Sequence, residues 1–395
     1  MTKRLWMTML LMLGLAAGGQ VAQAMSWPPA PSIKARAWAL VDARSGQVLA
    51  RHNETMHLPP ASLTKMMTLY LAFEDIKLGR LKLDERVSVS KKAWKIGGST
   101  MFLDPRMHPT VEQLLHGIAT LSGNDACIAL AEHVAGSEEA FAERMNQKAR
   151  ELGLTNTHFV NATGFPAPNH YSSALDMARL GAALWRDFPE QYALFSERSY
   201  SYGGHTQPNR NRLLWMYPGA DGIKTGHTEE AGYCLVGSAE KNGMRLVSAV
   251  FGTDSDMERA RQSRVLLTYG FRNFVSMRPA ERDIRRKVAV WQGKADAVWL
   301  VPERPVWITV PRGYERRVAF RLRYHAPLTA PITKNQKVGV IEAVVKDGKD
   351  KPLVLARVNM RARNDVPLAS WLGRQWDRLR LWWAGDAASS AASAP

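Results

Sequence analysis

The sequence predicts an α+β protein: an antiparallel sheet with helices packed around it, then a small all-β sandwich, then a C-terminal amphipathic helix. Three observations carry this. A hairpin pattern near the start gives way to mainly helical stretches and then to strands again, which suits one antiparallel sheet covered by helices. From Arg285 the pattern changes to short alternating runs broken by turns. After Pro367, apolar residues recur at helical spacing opposite charged ones. At 395 residues the chain is ample for a buried core and long for one small domain, so two domains are expected.

The first residues read as a targeting segment. Lys3 and Arg4 form a positive n-region, Leu5 to Ala17 an apolar run, and Ala22-Gln23-Ala24 a small-x-small cleavage site. A transmembrane helix is the competing reading, but the run is short and ends in Gly18-Gly19-Gln20. Residues 1–24 are therefore expected to be a removed export signal. The two cysteines, Cys127 and Cys234, then sit where disulfides are permitted, and both one bridge and two buried thiols stay open.

Charge narrows the partners. Residues 276–395 carry 23 Lys and Arg against 11 Asp and Glu, most of the chain's formal net charge of +17. An exported protein meets anionic lipid and wall polymers first, and no nucleic-acid-binding motif accompanies the charge. Nucleic acid is excluded as a partner. No Cys/His cluster has metal-ligand spacing, so no metal or cofactor is expected.

The first domain, expected over 25–276, begins with a hairpin of Ala35–Val41 and Gln47–Arg51. Pro59-Pro60-Ala61-Ser62-Leu63-Thr64-Lys65 then opens a helix. Residues three apart share a helix face, so Lys65 can reach the Ser62 hydroxyl. A serine alcohol needs a base to become a nucleophile, and a lysine serves only where burial and nearby cations lower its pKa. The same spacing at Ser88–Lys91 and Ser238–Lys241 reads as solvated charge. Residues 84–109 read mostly as loop, with Gly97-Gly98-Ser99 as a breaker.

Thr110 with Gln113 makes a capping box for the next helix. Ser122-Gly123-Asn124 interrupts that helix, which resumes through Cys127. Further helices follow at Ser137–Leu152, Leu175–Trp185 and Asp256–Tyr269, the last carrying Arg259. Tyr233–Ala239 and Met244–Phe251 form a hairpin closed by Asn242-Gly243.

Ser62-x-x-Lys65, Ser122-Gly123-Asn124 and Lys224-Thr225-Gly226 thus stand in order. Singly, the second is a turn and the third a strand end; together they are specific. With Asn209-Arg210-Asn211 and Asp221–Thr228, the chain resembles the low-molecular-weight penicillin-binding proteins that are D-alanyl-D-alanine carboxypeptidases, serine peptidases of the S11 type. The resemblance runs from about Trp27 to the end and implies a penicillin-binding/β-lactamase-like transpeptidase domain.

That resemblance implies roles. Ser62 attacks the carbonyl between two D-alanines, with Lys65 as base, kept partly neutral by Lys224. Ser122 relays a proton to the departing amine, and Asn124 bonds the substrate backbone. Lys224 and Thr225 take the terminal carboxylate, helped by Arg210 or Arg259. Backbone N–H groups, including that of His227, receive the oxyanion. Gly226 is expected to be small so that substrate can lie along the strand edge. The implied partners are peptidoglycan stem peptides and β-lactam antibiotics as covalent inhibitors. A class A β-lactamase-like hydrolase and a non-catalytic wall-binding protein are the alternatives. Glu143 with Asn146 mimics the former but reads as a solvated helix face; His170 and Asp176 read as structural.

The β module, expected over 285–366, contains no candidate catalytic set. In the tail, 367–395, Trp371, Trp376, Trp382 and Trp383 with Arg374 and Arg378 suit a helix lying in an anionic membrane surface better than one packing on the protein itself. The expected location is the periplasmic face of the inner membrane. The Ala/Ser-rich end beyond Gly385 is expected to be disordered.

Overall fold

The computed structural model describes residues 27–345 and 352–383; the signal-peptide reading and the last residues of the tail lie outside them. The described chain divides into two compact units.

The first unit comprises residues 29–278 and 307–312. Its five-stranded sheet runs in the order Val48–His52, Ala37–Asp42, Met244–Thr253, Gly232–Lys241, Ala220–Thr228, antiparallel throughout. Ala37–Asp42 is buried on both faces, which explains its unbroken apolar run. Asn242 and Gly243 both have positive φ (52° and 74°), as the expected type I′ turn requires.

Helices cover both faces of this sheet. Val247 and Leu246 are successive residues and so point to opposite sides. A Cβ on Gly181, in the helix Ala174–Asp187, would lie 3.0 Å from Val247 Cγ1, whereas one on Gly270, in the helix Asp256–Asn273, would lie 2.4 Å from Leu246 Cδ1. Both helices approach too closely for any side chain at those points.

The remaining helices form a second body of core around Lys65–Lys77. That helix buries Met66, Met67, Leu69, Tyr70, Leu71 and Phe73 around its whole circumference, so it threads the interior instead of lying on it. Thr110 and Gln113 form the capping box expected. Ser137 caps Glu138–Glu151 by accepting from Ala140 N. Among the elements the sequence reading does not contain are a short helix, Lys91–Lys95, and a hairpin of Ser199–Tyr202 with His205–Pro208.

One strand inside the β module expected over 285–366 belongs elsewhere. Ile308–Pro311 pairs with Phe274–Met277 in the first unit instead of joining the β module. Thr309 Oγ1 donates to the buried Asp42 carboxylate at 2.9 Å, and Arg44 lies between Trp185 and Trp307 at 5.0 and 4.8 Å. Such pairings are long-range, so alternation alone does not assign the strand.

The second unit holds one five-stranded antiparallel sheet, ordered Val318–Tyr324, Lys337–Val345, Leu353–Ala362, Ala297–Pro302, Arg286–Ala289. Isolated bridges join Trp291 to Thr329, Gly293 to Leu368 and Ile332 to Val366. The helix Trp371–Trp383 is held by its polar side: Asp377 accepts from Gln292 N at 2.6 Å, and Arg380 lies over the Trp291 ring. Its apolar residues Trp371, Leu372, Trp376 and Trp382 stay exposed, between 62% and 77%. This is the reverse of a helix packing its apolar stripe on its own domain.

Candidate active site

Ser62 lies in a 3-10 turn, Ala61–Thr64, immediately before the helix. Pro60 leads into it, and Ala61 takes a positive φ of 47°, a conformation costly for alanine that persists because its neighbours leave no alternative. Those neighbours are two glycines. A Cβ on Gly164, itself at φ +86°, would fall 1.8 Å from the Ala61 carbonyl oxygen. One on Gly226 would lie 3.0 Å from Pro60 O and 3.2 Å from Ala61 Cβ. Gly226 is therefore also small to admit the turn that carries Ser62, a reason beyond the substrate clearance expected from sequence. Gly164→Ala is expected to lower stability by ~2–4 kcal/mol and slow acylation together, read by thermal melting and a β-lactam adduct time course.

Lys65 Nζ lies 2.9 Å from Ser62 Oγ, 2.7 Å from Asn124 Oδ1 and 2.6 Å from the Thr163 carbonyl oxygen. A neutral amine has two N–H donors and one lone pair. Asn124 and Thr163 can take the two protons, which leaves the lone pair for the Ser62 hydroxyl. Lys65 is fully buried, and its pKa is lowered to about 8, chiefly by that burial, with Arg210 adding to the shift and Cys127, Asp125 and Glu138 opposing it. Burial, rather than the Lys224 charge expected from sequence, is the main cause. Lys224 is itself held well below its ordinary value by burial, then by Lys65 and Arg210.

Ser122 adopts left-handed backbone (φ 64°) and ends the helical run 111–121; Gly123 then starts the helix Asn124–Ala135. The interruption read from sequence is thus what turns the Ser122 side chain out of the helix and into the cleft. Asn124 does two jobs already: its oxygen accepts from Lys65 and its nitrogen donates to Gly97 O at 2.8 Å. One N–H of that amide is left over. Next to it, the Asp125 carboxylate accepts from Met101 N and Leu103 N at 3.0 Å each and so clamps the loop 97–103.

The opposite wall is the edge strand Ala220–Thr228. Thr225 and Gly226 border the cleft, and His227 is exposed, its ring tilted against Tyr233 at 4.0 Å. Arg259 is buried and donates to Gly226 O at 3.0 Å, and burial lowers its pKa to about 10. Arg210 donates to Ser99 Oγ. The cleft encloses about 950 Å³ and is lined by Ser62, Ser122, Arg210, Thr225, Gly226, His227 and Arg259 among others. Lys65, Asn124 and Lys224 sit behind that lining. All ten residues singled out from sequence converge here.

Sequence reasoning missed Thr163, whose contribution is a carbonyl and leaves no side-chain signal, and the rim residues Trp215, Tyr233 and Met257. Several other expectations hold. Glu143 is exposed, and Asn146 is spent on the Phe159 backbone. His170 Nδ1 accepts from Val160 N at 3.0 Å, so Nε2 donates to Thr64; burial lowers its pKa to about 4. Both cysteines are buried free thiols, which closes the disulfide question. The solvated reading of Ser238–Lys241 fails for the serine, which is buried and accepts from Arg245, so its Ser-x-x-Lys spacing is incidental.

A serine held in a tight turn, a buried lysine amine 2.9 Å from its hydroxyl, a second hydroxyl and a cleft with arginines on its lining are the geometry of a serine acyl-transfer hydrolase. Comparison with known proteins agrees. The family model described as D-alanyl-D-alanine carboxypeptidase matches residues 23–255, and the penicillin-binding protein 5 C-terminal domain matches residues 277–367. The chain belongs to the S11 D-alanyl-D-alanine carboxypeptidase family. It is 42% identical over 363 residues to D-alanyl-D-alanine carboxypeptidase DacC of Escherichia coli, covering 89% of each chain. It is 41% identical over 368 residues to DacA of that organism, covering 90% of this chain and 89% of the relative. Penicillin-binding protein 5 from Haemophilus influenzae superposes with a TM-score of 0.79 at 38% identity, over 86% of this chain and 99% of that one.

Proposed function

We propose that this chain is a serine DD-carboxypeptidase that removes the terminal D-alanine from peptidoglycan pentapeptide stems through an acyl-enzyme on Ser62. The observation that carries the reading is the 2.9 Å contact of the buried Lys65 amine with Ser62 Oγ, inside a cleft ringed by cations.

In this reading neutral Lys65 takes the Ser62 proton as Oγ attacks the penultimate carbonyl carbon. The oxyanion is received by the backbone N–H groups of Ser62 and His227. The proton passes through Ser122 to the departing nitrogen, the C–N bond breaks and D-alanine leaves. Water then hydrolyses the ester. Lys224, Thr225 and Arg210 hold the substrate's terminal carboxylate, and the spare Asn124 N–H meets its backbone. Arg259 contributes by fixing Gly226 O and by its charge. β-Lactams enter the same path, as the ampicillin-bound form of penicillin-binding protein D2 from Listeria monocytogenes illustrates for a relative 29% identical. The β-lactamase-like alternative needs a deacylating carboxylate; Glu143 is exposed and does not line the cleft.

Mass spectrometry of products from a soluble pentapeptide and from a cross-linked substrate tests the reading. Loss of one D-alanine from the pentapeptide is the expected result; an unchanged pentapeptide overturns it.

We further assign residues 25–276 to catalysis, 285–366 to a β module and 367–395 to a peripheral anchor, after export to the periplasm and removal of 1–24. No helix among the described residues is long and apolar enough to cross a membrane. The exposed Trp371, Trp376 and Trp382 suit the head-group region of an anionic bilayer. Truncation after Pro367 is expected to abolish co-sedimentation with anionic vesicles and to leave activity on soluble peptide within twofold of the full chain; undiminished vesicle binding refutes the anchor.

A further inference from the structure

Catalysis makes no use of the outward face of the second unit's sheet. Arg321, Glu342 and Arg357 lie directly opposite one another across three neighbouring strands. Side chains alternate along a strand, so Arg323 shares that face, as does Arg361, with Lys337 as its cross-strand partner. The other face is apolar and buried, with Leu300, Ile341, Val358 and Met360. The charged parity therefore faces outward by construction.

Charge on this face is unbalanced. Glu342, with 3% of its side chain exposed, forms ion pairs with Arg321 at 2.7 Å, Arg323 at 2.9 Å and Arg357 at 3.0 Å. One carboxylate cannot neutralise three guanidiniums. Arg323 and Arg357 keep 62% and 66% of their side chains exposed, with N–H donors to spare. Arg361 pairs with Glu303, and Lys337 adds a further cation. The indole of Trp299, on the same face and 41% exposed, offers an apolar plate beside them.

We propose that this sheet face binds the peptidoglycan polymer through the carboxylates of its stem peptides, holding the enzyme on its insoluble substrate while the cleft trims one stem after another. The inference rests on the reading of peptidoglycan as substrate. The planar guanidinium fork matches a carboxylate, and the cluster already grips one in Glu342. A bilayer would call for exposed aliphatic and aromatic side chains in number, and those are on the helix Trp371–Trp383. Contacts between exposed charges are screened by salt, so the binding must be salt-sensitive.

The test uses the full chain carrying Ser62→Ala, which cannot turn substrate over, with and without R323E and R357E. Co-sedimentation with purified peptidoglycan is measured at low and high salt, and with the polymer's carboxylates amidated. The expected result is binding that the double charge reversal, high salt or amidation weakens about tenfold or more. In the Ser62 background, the R323E/R357E enzyme is expected to keep its kcat/KM on soluble pentapeptide within twofold and to lose D-alanine release from the insoluble polymer. Unchanged polymer binding by the double variant overturns the proposal. So does loss of binding to anionic vesicles with polymer binding intact, which assigns the face to the membrane. Melting curves, and the milder R323Q/R357Q pair, separate a folding defect from lost recognition. Failure of the wild type to act on soluble pentapeptide refutes the substrate reading instead.

Discussion

Ser62→Ala is expected to abolish the covalent adduct with a labelled β-lactam and to reduce D-alanine release by at least ~10³-fold, because no other hydroxyl can take over the attack. Ser122 lines the same cleft, but the hydroxyl that Lys65 Nζ contacts is that of Ser62, at 2.9 Å. The substitution removes one oxygen from a half-buried side chain in a turn fixed by Pro60, Gly164 and Gly226, so the fold is expected to persist with an unchanged melting temperature. Intact-mass spectrometry after exposure to penicillin reads the result. An adduct of wild-type yield on the variant would remove Ser62 from the mechanism.

Lys65 carries the second large effect. Lys65→Met keeps much of the volume and removes the base, and acylation is expected to fall by ~10²–10⁴-fold. The wild-type rate should follow the neutral amine. With its pKa lowered to about 8, Lys65 is mostly protonated below that pH and mostly neutral above it, so acylation rises as pH passes upward through about 8. Arg210 is one of the charges that lower this value. Removing it in Arg210→Gln should move the rising limb to higher pH, an effect separate from any weaker substrate binding seen in KM. A pH profile unchanged in Arg210→Gln, or flat across pH 8 in the wild type, contradicts the lysine-base assignment.

Much of this was legible in the chain itself. The Ser62–Lys65 spacing became a 2.9 Å contact because residues three apart meet on a helical turn regardless of context. The break at Ser122-Gly123-Asn124 was visible because a helical pattern stopped and restarted around a glycine. Thr110 with Gln113, Ser137 and Asn242-Gly243 were readable for the same reason: local hydrogen-bond chemistry fixes caps and turns. The pieces that escaped are non-local. Ile308–Pro311 falls inside the stretch read as the β module, and only its pairing with Phe274–Met277 assigns it to the first unit. Gly226 reads from sequence as a clearance for substrate, and only the approach of Pro60 and Ala61 adds a second reason.

The sequence by itself determined the pairing of Ser62 with Lys65, the order of the three motifs and the existence of an amphipathic tail, since each is set by spacing along the chain. The tertiary structure decided what those residues experience. It buried Lys65 and so lowered its pKa, brought the Thr163 carbonyl to its amine, and set three arginines of neighbouring strands around one glutamate. Desolvation and cross-strand contact are properties of packing between distant segments, and no local pattern encodes them.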